Sequence, residues 1–158
     1  MKVANSIRDL PNEPAIYTLR SGKRERSSIL YVGETDNLRR RIGQHLVNRD
    51  SSVTMEGSPV KIDPSHVKIV EWWTQPDFKD SIVRGAAEQI AFKIFDPRVR
   101  SGSNGKKDSI KLSKDQTFDS RMKALFTSTP SGKLVMMTLE EIIERLLSLE
   151  QRMAELEK

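Results

Sequence analysis

Apolar residues in the runs AIYTL (15–19) and SILYVG (28–33) are β-branched and aromatic, and a polar stretch rich in Ser, Gly, Lys and Arg separates them. This pattern predicts two strands joined as a hairpin with a long loop. TDN at 35–37 offers an N-cap, and Leu38, Ile42 and Leu46 then recur at helical spacing, so a helix is expected to follow the hairpin directly. Residues 51–65 hold Ser, Gly and two prolines and read as a loop, after which HVKIVEWWT (66–74) has the composition of a third strand. A second helix is expected from about Asp80 to Phe95, stopping before Pro97. The order ββαβα predicts a small α/β sandwich, a mixed three-stranded sheet flanked by helices.

Beyond this unit the pattern changes. Residues 98–118 are polar and read as an excursion with little core of its own, and 119–127 as a possible short helix. From Val135 the apolar positions Val135, Leu139, Ile142, Leu146, Leu149, Met153 and Leu156 alternate in steps of four and three, the spacing of a coiled-coil seam. With Leu139 at position a, Arg145 and Arg152 stand at g and Glu150 and Glu157 at e, charges that favour parallel pairing. The alternative is an amphipathic helix folded back onto its own domain. The chain is thus divided into 1–104 as a catalytic or binding domain, 105–132 as a polar linker and 133–158 as an oligomerisation helix, giving a homodimer or a higher homo-oligomer through residues 135–158.

Composition narrows the chemistry. The chain has 158 residues, which suits one domain plus an appended element, and it has no cysteine, which excludes a disulfide framework, a cysteine-based zinc finger and a thiol nucleophile. No apolar run approaches the roughly 20 residues that span a bilayer. The segment MKVANSIRDLPNEP lacks the apolar region of a secretory signal, so a cytoplasmic protein is expected. Lys plus Arg number 27 against 22 Asp plus Glu, a formal charge of +5. The cations cluster at Arg39, Arg40 and Arg41 and again at Arg98, Arg100, Lys106 and Lys107, while the tail after Thr138 is acidic. A basic body with clustered arginines points to nucleic acid, with Arg39, Arg40, Arg98, Arg100, Lys106 and Lys107 as candidate DNA contacts.

The segment YVGETDNLRRRIGQH (31–45) brings the chemical candidates together. On a helix starting at Asn37, Arg41 and His45 are four apart and share a side next to the apolar stripe. On the preceding strand Leu30 and Val32 share one face, and Tyr31 and Gly33 the other. Glu88 lies on the second helix opposite Ile82, Val83, Ala86, Ile90 and Ile94, with Phe92 and Phe95 for neighbours. Trp72 and Trp73 point to opposite strand faces, so at most one is expected in a core. His66, Asp63 and Glu71 lack recognisable ligand spacing and read as loop and strand residues.

AIYTL with Tyr17, LYVGET with Tyr31, Arg41 ten residues after Tyr31, His45, and the run EQIAFKIFDPRVRSGSN with Glu88, Pro97 and Asn104 together resemble the GIY-YIG nuclease family over residues 14–104, about two thirds of the chain. Ala15 stands where the family has its first glycine, Val32 stands for isoleucine, and Asn104 lies further from the proline than in the family pattern, so that SGS would have to bulge. The resemblance implies the ββαβα fold and phosphodiester hydrolysis with one divalent ion, Mg²⁺ with Mn²⁺ as substitute, held by Glu88. It further implies that Arg41 contacts the scissile phosphate and that Tyr17 activates the water with Tyr31 assisting. His45 would orient or relay a proton, and Asn104 would fill the family's asparagine position.

The expectation is therefore a metal-dependent DNA endonuclease, most like a restriction enzyme because no helix-turn-helix or zinc-finger module accompanies it. Sequence preference would come from the 50–65 loop or the 98–118 stretch. Two alternatives remain open: a non-catalytic nucleic-acid-binding or assembly module on the same fold, and an incision subunit whose nicking depends on partner proteins.

Overall fold

In the computed structural model, residues 1–22, 28–58, 61–100 and 105–157 are described. The elements are β1 (Lys2–Ala4), β2 (Ala15–Ser21), β3 (Ser28–Thr35), α1 (Leu38–Gly43, running on into a π-helical turn, Gln44–Asn48), β4 (Ile69–Trp73), α2 (Ser81–Phe95), α3 (Lys107–Ser113), α4 (Gln116–Thr127), β5 (Gly132–Val135) and α5 (Leu139–Leu156). The sheet is mixed and five-stranded, in the order β1-β5-β4-β2-β3, with β1 and β5 parallel and the other described strand pairs antiparallel.

The expected three strands are its centre and one edge, β4-β2-β3. The other two were missed for physical reasons. β1 has three residues and pairs with a strand some 130 positions away, and β5 carries Leu134 and Val135, of which Val135 also fits the first position of the heptad spacing. The third strand is also shorter than 66–74, because Pro64–His66 form a 3-10 turn capped by the Asp63 side chain.

Both faces of the sheet are covered. One core holds Tyr17, Leu19, Leu30, Tyr31, Leu38, Ile42, Val70 and Trp72; the other holds Ile16, Val32, Trp73, Phe78, Ala86, Ile90, Phe118, Met122 and Phe126. A two-sided sheet lets Trp72 and Trp73 alternate as adjacent strand residues and still both be 2% exposed, which corrects the expectation that one of them is surface. Leu30 joins the Tyr31 side rather than the Val32 side, since the β2–β3 register shifts between Leu19 and Arg20.

The stretch expected as a linker becomes structure from Lys107 onward. Ser109 of α3 donates to the Ile82 carbonyl at 2.9 Å, where Gly85 leaves room for its close approach to α2. α4, capped by Asp115 at the Phe118 N–H, packs Phe118, Met122 and Phe126 into the second core. Each alone would not mark a helix that packs, because the intervening positions are polar.

α5 begins only at Leu139. Thr138 and Glu141 form a capping box, with the Glu141 carboxylate accepting from the Thr138 N–H at 2.8 Å. No residue of α5 is buried: Leu139, Ile142, Leu146, Leu149 and Met153 are all at least 38% exposed. Among the described residues no helix is long and apolar enough to cross a membrane.

Candidate active site

Tyr17 is built into place by its cross-strand neighbour. It sits opposite Gly33 in the β2–β3 pair, and a Cβ on Gly33 would overlap the Tyr17 ring and hydroxyl and the edge of Tyr31. The glycine of YVG is therefore a mid-strand residue that makes room for a tyrosine. Tyr17 and Tyr31 lie with ring centroids 6.1 Å apart, 1% and 6% exposed.

Helix α1 starts where its cap requires, with the Asn37 side-chain Oδ1 accepting from the Arg40 N–H at 3.0 Å. Leu38 and Ile42 bury its apolar stripe, and the π-helical turn then swings His45 inward over both tyrosines, its ring centroid 5.7 Å from that of Tyr17 and 5.6 Å from that of Tyr31. His45 Nε2 is 2.6 Å from the Tyr17 hydroxyl, and its Nδ1 is 2.7 Å from Ser51 Oγ. Burial, and after it the charge of Arg41, hold the imidazole down to about 4, so His45 is neutral at physiological pH. Burial likewise pushes the Tyr17 phenol well above its usual value, with Tyr31, Glu88 and Glu34 adding to the effect and Arg41 opposing it. The Tyr17–His45 contact is thus a hydrogen bond between two neutral groups.

Glu88 reaches the same cluster from the opposite layer. Asp80 caps α2 by accepting from the Ile82 N–H at 2.7 Å, and Glu88 lies two turns in, 7% exposed. It forms no ion pair among the described residues. Its proton is held up to about 7, first by burial and then by the Glu34 carboxylate, while the Glu34 backbone N–H donating to it and the nearby Arg41 pull the other way. Glu34 itself is tied to Arg84 of α2, whose Nε donates to Glu34 Oε2 at 2.7 Å and whose NH1 donates to the Phe78 carbonyl, also at 2.7 Å. Arg41 is half-buried and acts electrostatically on Tyr17, His45 and Glu88 alike.

Tyr17, Tyr31, Arg41, His45 and Glu88 are therefore neighbours at the β3 side of the sheet. Asn104 lies outside the described residues. The chain after α2 returns to β3, where Val99 pairs with Tyr31 and donates to the Leu30 carbonyl at 2.9 Å, which sets the backbone of Arg98 and Arg100 along the first half of β3. Of the other candidate DNA contacts, Arg39 is exposed with its Nε bound to the Leu10 carbonyl, and Arg40 is exposed and paired with Asp36. Arg100 pairs with Asp96, Lys106 immediately precedes α3 with its Nζ 3.3 Å from Ser81 Oγ, and Lys107 is exposed at the first turn of that helix. Glu71 pairs with Arg20, and His66 is exposed beside Asp63, so neither joins a cluster.

Sequence reading missed Glu34, Arg84, Ser51 and Thr54. Arg84 carried a signal: a cation among Val83, Ala86 and Ala87 on an otherwise apolar helix needs a buried partner. Ser51 and Thr54 carried none, being small hydroxyls in a loop.

The chemistry of Glu88 suits a hard divalent cation, since a buried carboxylate without a cationic partner gains most from one. Among the described residues no group of three or more carboxylates and imidazoles could enclose a metal ion, so a cation there would keep much of its water.

The family model described as the GIY-YIG catalytic domain matches residues 13–79. This segment, under half of the chain, holds Tyr17, Tyr31, Arg41 and His45, and its match supports the GIY-YIG nuclease superfamily. Glu88 and everything from α2 onward lie beyond the matched residues. No curated protein and no solved structure matches the chain.

Proposed function

We propose that this protein is a divalent-metal-dependent DNA endonuclease, restriction-type, whose oligomer is formed through α5. The observation that carries the reading is the convergence of a neutral Tyr17–His45 pair, a half-buried arginine and an unpaired buried carboxylate, from two layers of the fold, on one site in a GIY-YIG domain.

Hydrolysis of a phosphodiester needs a phosphate held in place, a water stripped of a proton and relief of charge on phosphorus. Glu88 would hold the Mg²⁺ or Mn²⁺, which supplies positive charge to the phosphate when bound. Arg41 presents a planar, always charged fork to the phosphate oxygens. Tyr17 draws the proton from the attacking water through its own oxygen while its hydroxyl proton passes to His45 Nε2. The neutral imidazole is the acceptor that makes this feasible, because a buried phenol does not ionise unaided. Tyr31, edge-on to His45, limits the ring's movement. Asn104 would complete the family pattern. Arg39, Arg40, Arg98, Arg100, Lys106 and Lys107 would contact the DNA backbone, Arg40 and Arg100 after leaving their surface partners, at little cost because exposed pairs contribute only about 0–1 kcal/mol.

Tyr17→Phe and Arg41→Ala are the variants that test these roles. Both are expected to lower the single-turnover cleavage rate of plasmid by at least about 10²-fold with binding retained. Loss in Tyr17→Phe with full activity in Arg41→Ala contradicts the assignment.

A further inference from the structure

The hydrogen bonds of His45 do not end at its ring. Ser51 Oγ, which touches His45 Nδ1 at 2.7 Å, is itself 2.5 Å from Thr54 Oγ1. Ser51 and Thr54 are 4% and 3% exposed, yet neither hydroxyl is wasted on the surface. The turn that holds them is ordered by its backbone: Arg49 takes a left-handed conformation at φ 55°, Asp50 N–H closes the π-helical turn on the Gln44 carbonyl, and Thr54 and Met55 N–H both donate to the Ser51 carbonyl. Thr54 lies on the wall of a cleft open to solvent, along with Arg49, Glu56, Lys61, Asp63 and Pro64.

A neutral imidazole has one protonated nitrogen, so the four groups can be ordered in two ways. In one, Tyr17 donates to Nε2, Nδ1–H donates to Ser51, and Ser51 donates to Thr54. In the other every bond is reversed, and Nε2–H donates to the Tyr17 oxygen. The two arrangements differ by one proton moved from Tyr17 to the Thr54 end.

We propose that Ser51 and Thr54 are positioning residues of a proton path, Tyr17–His45–Ser51–Thr54, that selects the tautomer of His45 and discharges the Tyr17 proton into the cleft behind the site. This rests on the nuclease reading given above. The balance is simple. The Tyr17 O–H proton passes to Nε2 as the Nδ1 proton passes to Ser51 Oγ, the Ser51 proton to Thr54 Oγ1, and the Thr54 proton to a cleft water. One O–H bond is lost at Tyr17 and one is gained at that water, every group between exchanges one proton for another, and the phenolate left at Tyr17 faces Nε2–H.

The test uses the full chain carrying His66→Gln, so that ¹⁵N-labelled histidine reports His45 alone, with Ser51→Ala and Thr54→Val added separately. In the parent, the two ring nitrogens should give the well-separated shifts of one tautomer. In Ser51→Ala they should converge towards a mixture, with kcat lowered by about 10- to 100-fold, at or below the lower end of what a positioned proton-transfer group contributes, and KM unchanged. Thr54→Val, which keeps the side-chain shape, should lower kcat while leaving the imidazole shifts in place. An unmoved imidazole spectrum in Ser51→Ala overturns the role in tautomer selection. A moved spectrum with undiminished kcat, or full kcat in Thr54→Val, overturns the path. Absence of cleavage by the parent protein would sink the nuclease reading and the path with it, whereas the imidazole shifts would still decide whether Ser51 governs His45.

Discussion

Glu88 and His45 pull the pH dependence of folding in opposite directions. His45 binds its proton at about 4 in the fold against 6.5 for a free imidazole, so its contribution is full above pH 6.5 and is lost as pH falls through 4. Glu88 titrates at about 7 against 4.5, so its contribution grows as pH falls from 7 towards 4.5 and is lost as pH rises through 7. Between pH 7 and pH 5 each effect amounts to about 2 kcal/mol, and the two nearly cancel. Removing one should expose the other. Glu88→Gln, unfolded by urea in EDTA, is expected to lose about 2 kcal/mol more than wild type over that interval; parallel curves would show that Glu88 has no raised affinity for its proton. Gly33→Ala tests the packing of the same cluster. Its methyl group must displace the Tyr17 ring, so a loss of about 1–3 kcal/mol and a weakened Tyr17–His45 bond are expected, and an unchanged urea midpoint would contradict the crowding at this position. At this scale the sequence was informative where chemistry has fixed spacing, as from Tyr31 to Arg41 and His45. It was silent on Glu34, whose significance comes from a carboxylate 54 positions later, and on Ser51, which a loop brings back under His45.

Elements were legible when their signals were local. Asn37 and Asp80 mark helix starts by side chains that accept from the first turn, and Pro97 marks a stop, so α1 and α2 begin, and α2 ends, where the pattern places them. β1 and β5 have no local signal: each is short, and each becomes a strand only by pairing with distant chain. α4 was undervalued for the opposite reason. Its three core residues are spaced four apart among polar ones, and only the exposed flank of α2 and β4 beneath them shows that they are core. Phe126, which packs edge-on to Trp73 at 5.7 Å and is 3% exposed, makes this checkable. Phe126→Ala is expected to cost about 3–5 kcal/mol. A loss below about 1 kcal/mol, the size expected of a surface substitution, would return 107–127 to the status of a linker.

For the whole molecule, the open question of assembly falls on α5. Its seam runs from Leu139 to Leu156, not from Val135, which belongs to β5, so it has fewer than three heptads, and they stand uncovered in the single chain. Pairing of two copies would cover Leu139, Ile142, Leu146, Leu149 and Met153 and set Arg145 against Glu150. Leu146→Glu, placing a charge in that seam, is expected to turn the oligomer into a monomer in light scattering, and a monomeric wild type at micromolar concentration would contradict pairing through α5. Two linked sites would then engage one duplex, with the basic residues around β3 and the start of α3 facing the phosphates.

Catalysis itself is tested most directly by one cleavage experiment: supercoiled plasmid and a mixed DNA library incubated with the full-length protein in Mg²⁺ and in EDTA, beside Glu88→Ala. Metal-dependent nicked, linear or fragmented DNA that disappears in EDTA and in the variant, with DNA binding retained, is the result expected of an endonuclease whose metal is held by Glu88. Intact DNA in every lane with binding retained would contradict that claim and identify a binding module on a nuclease fold.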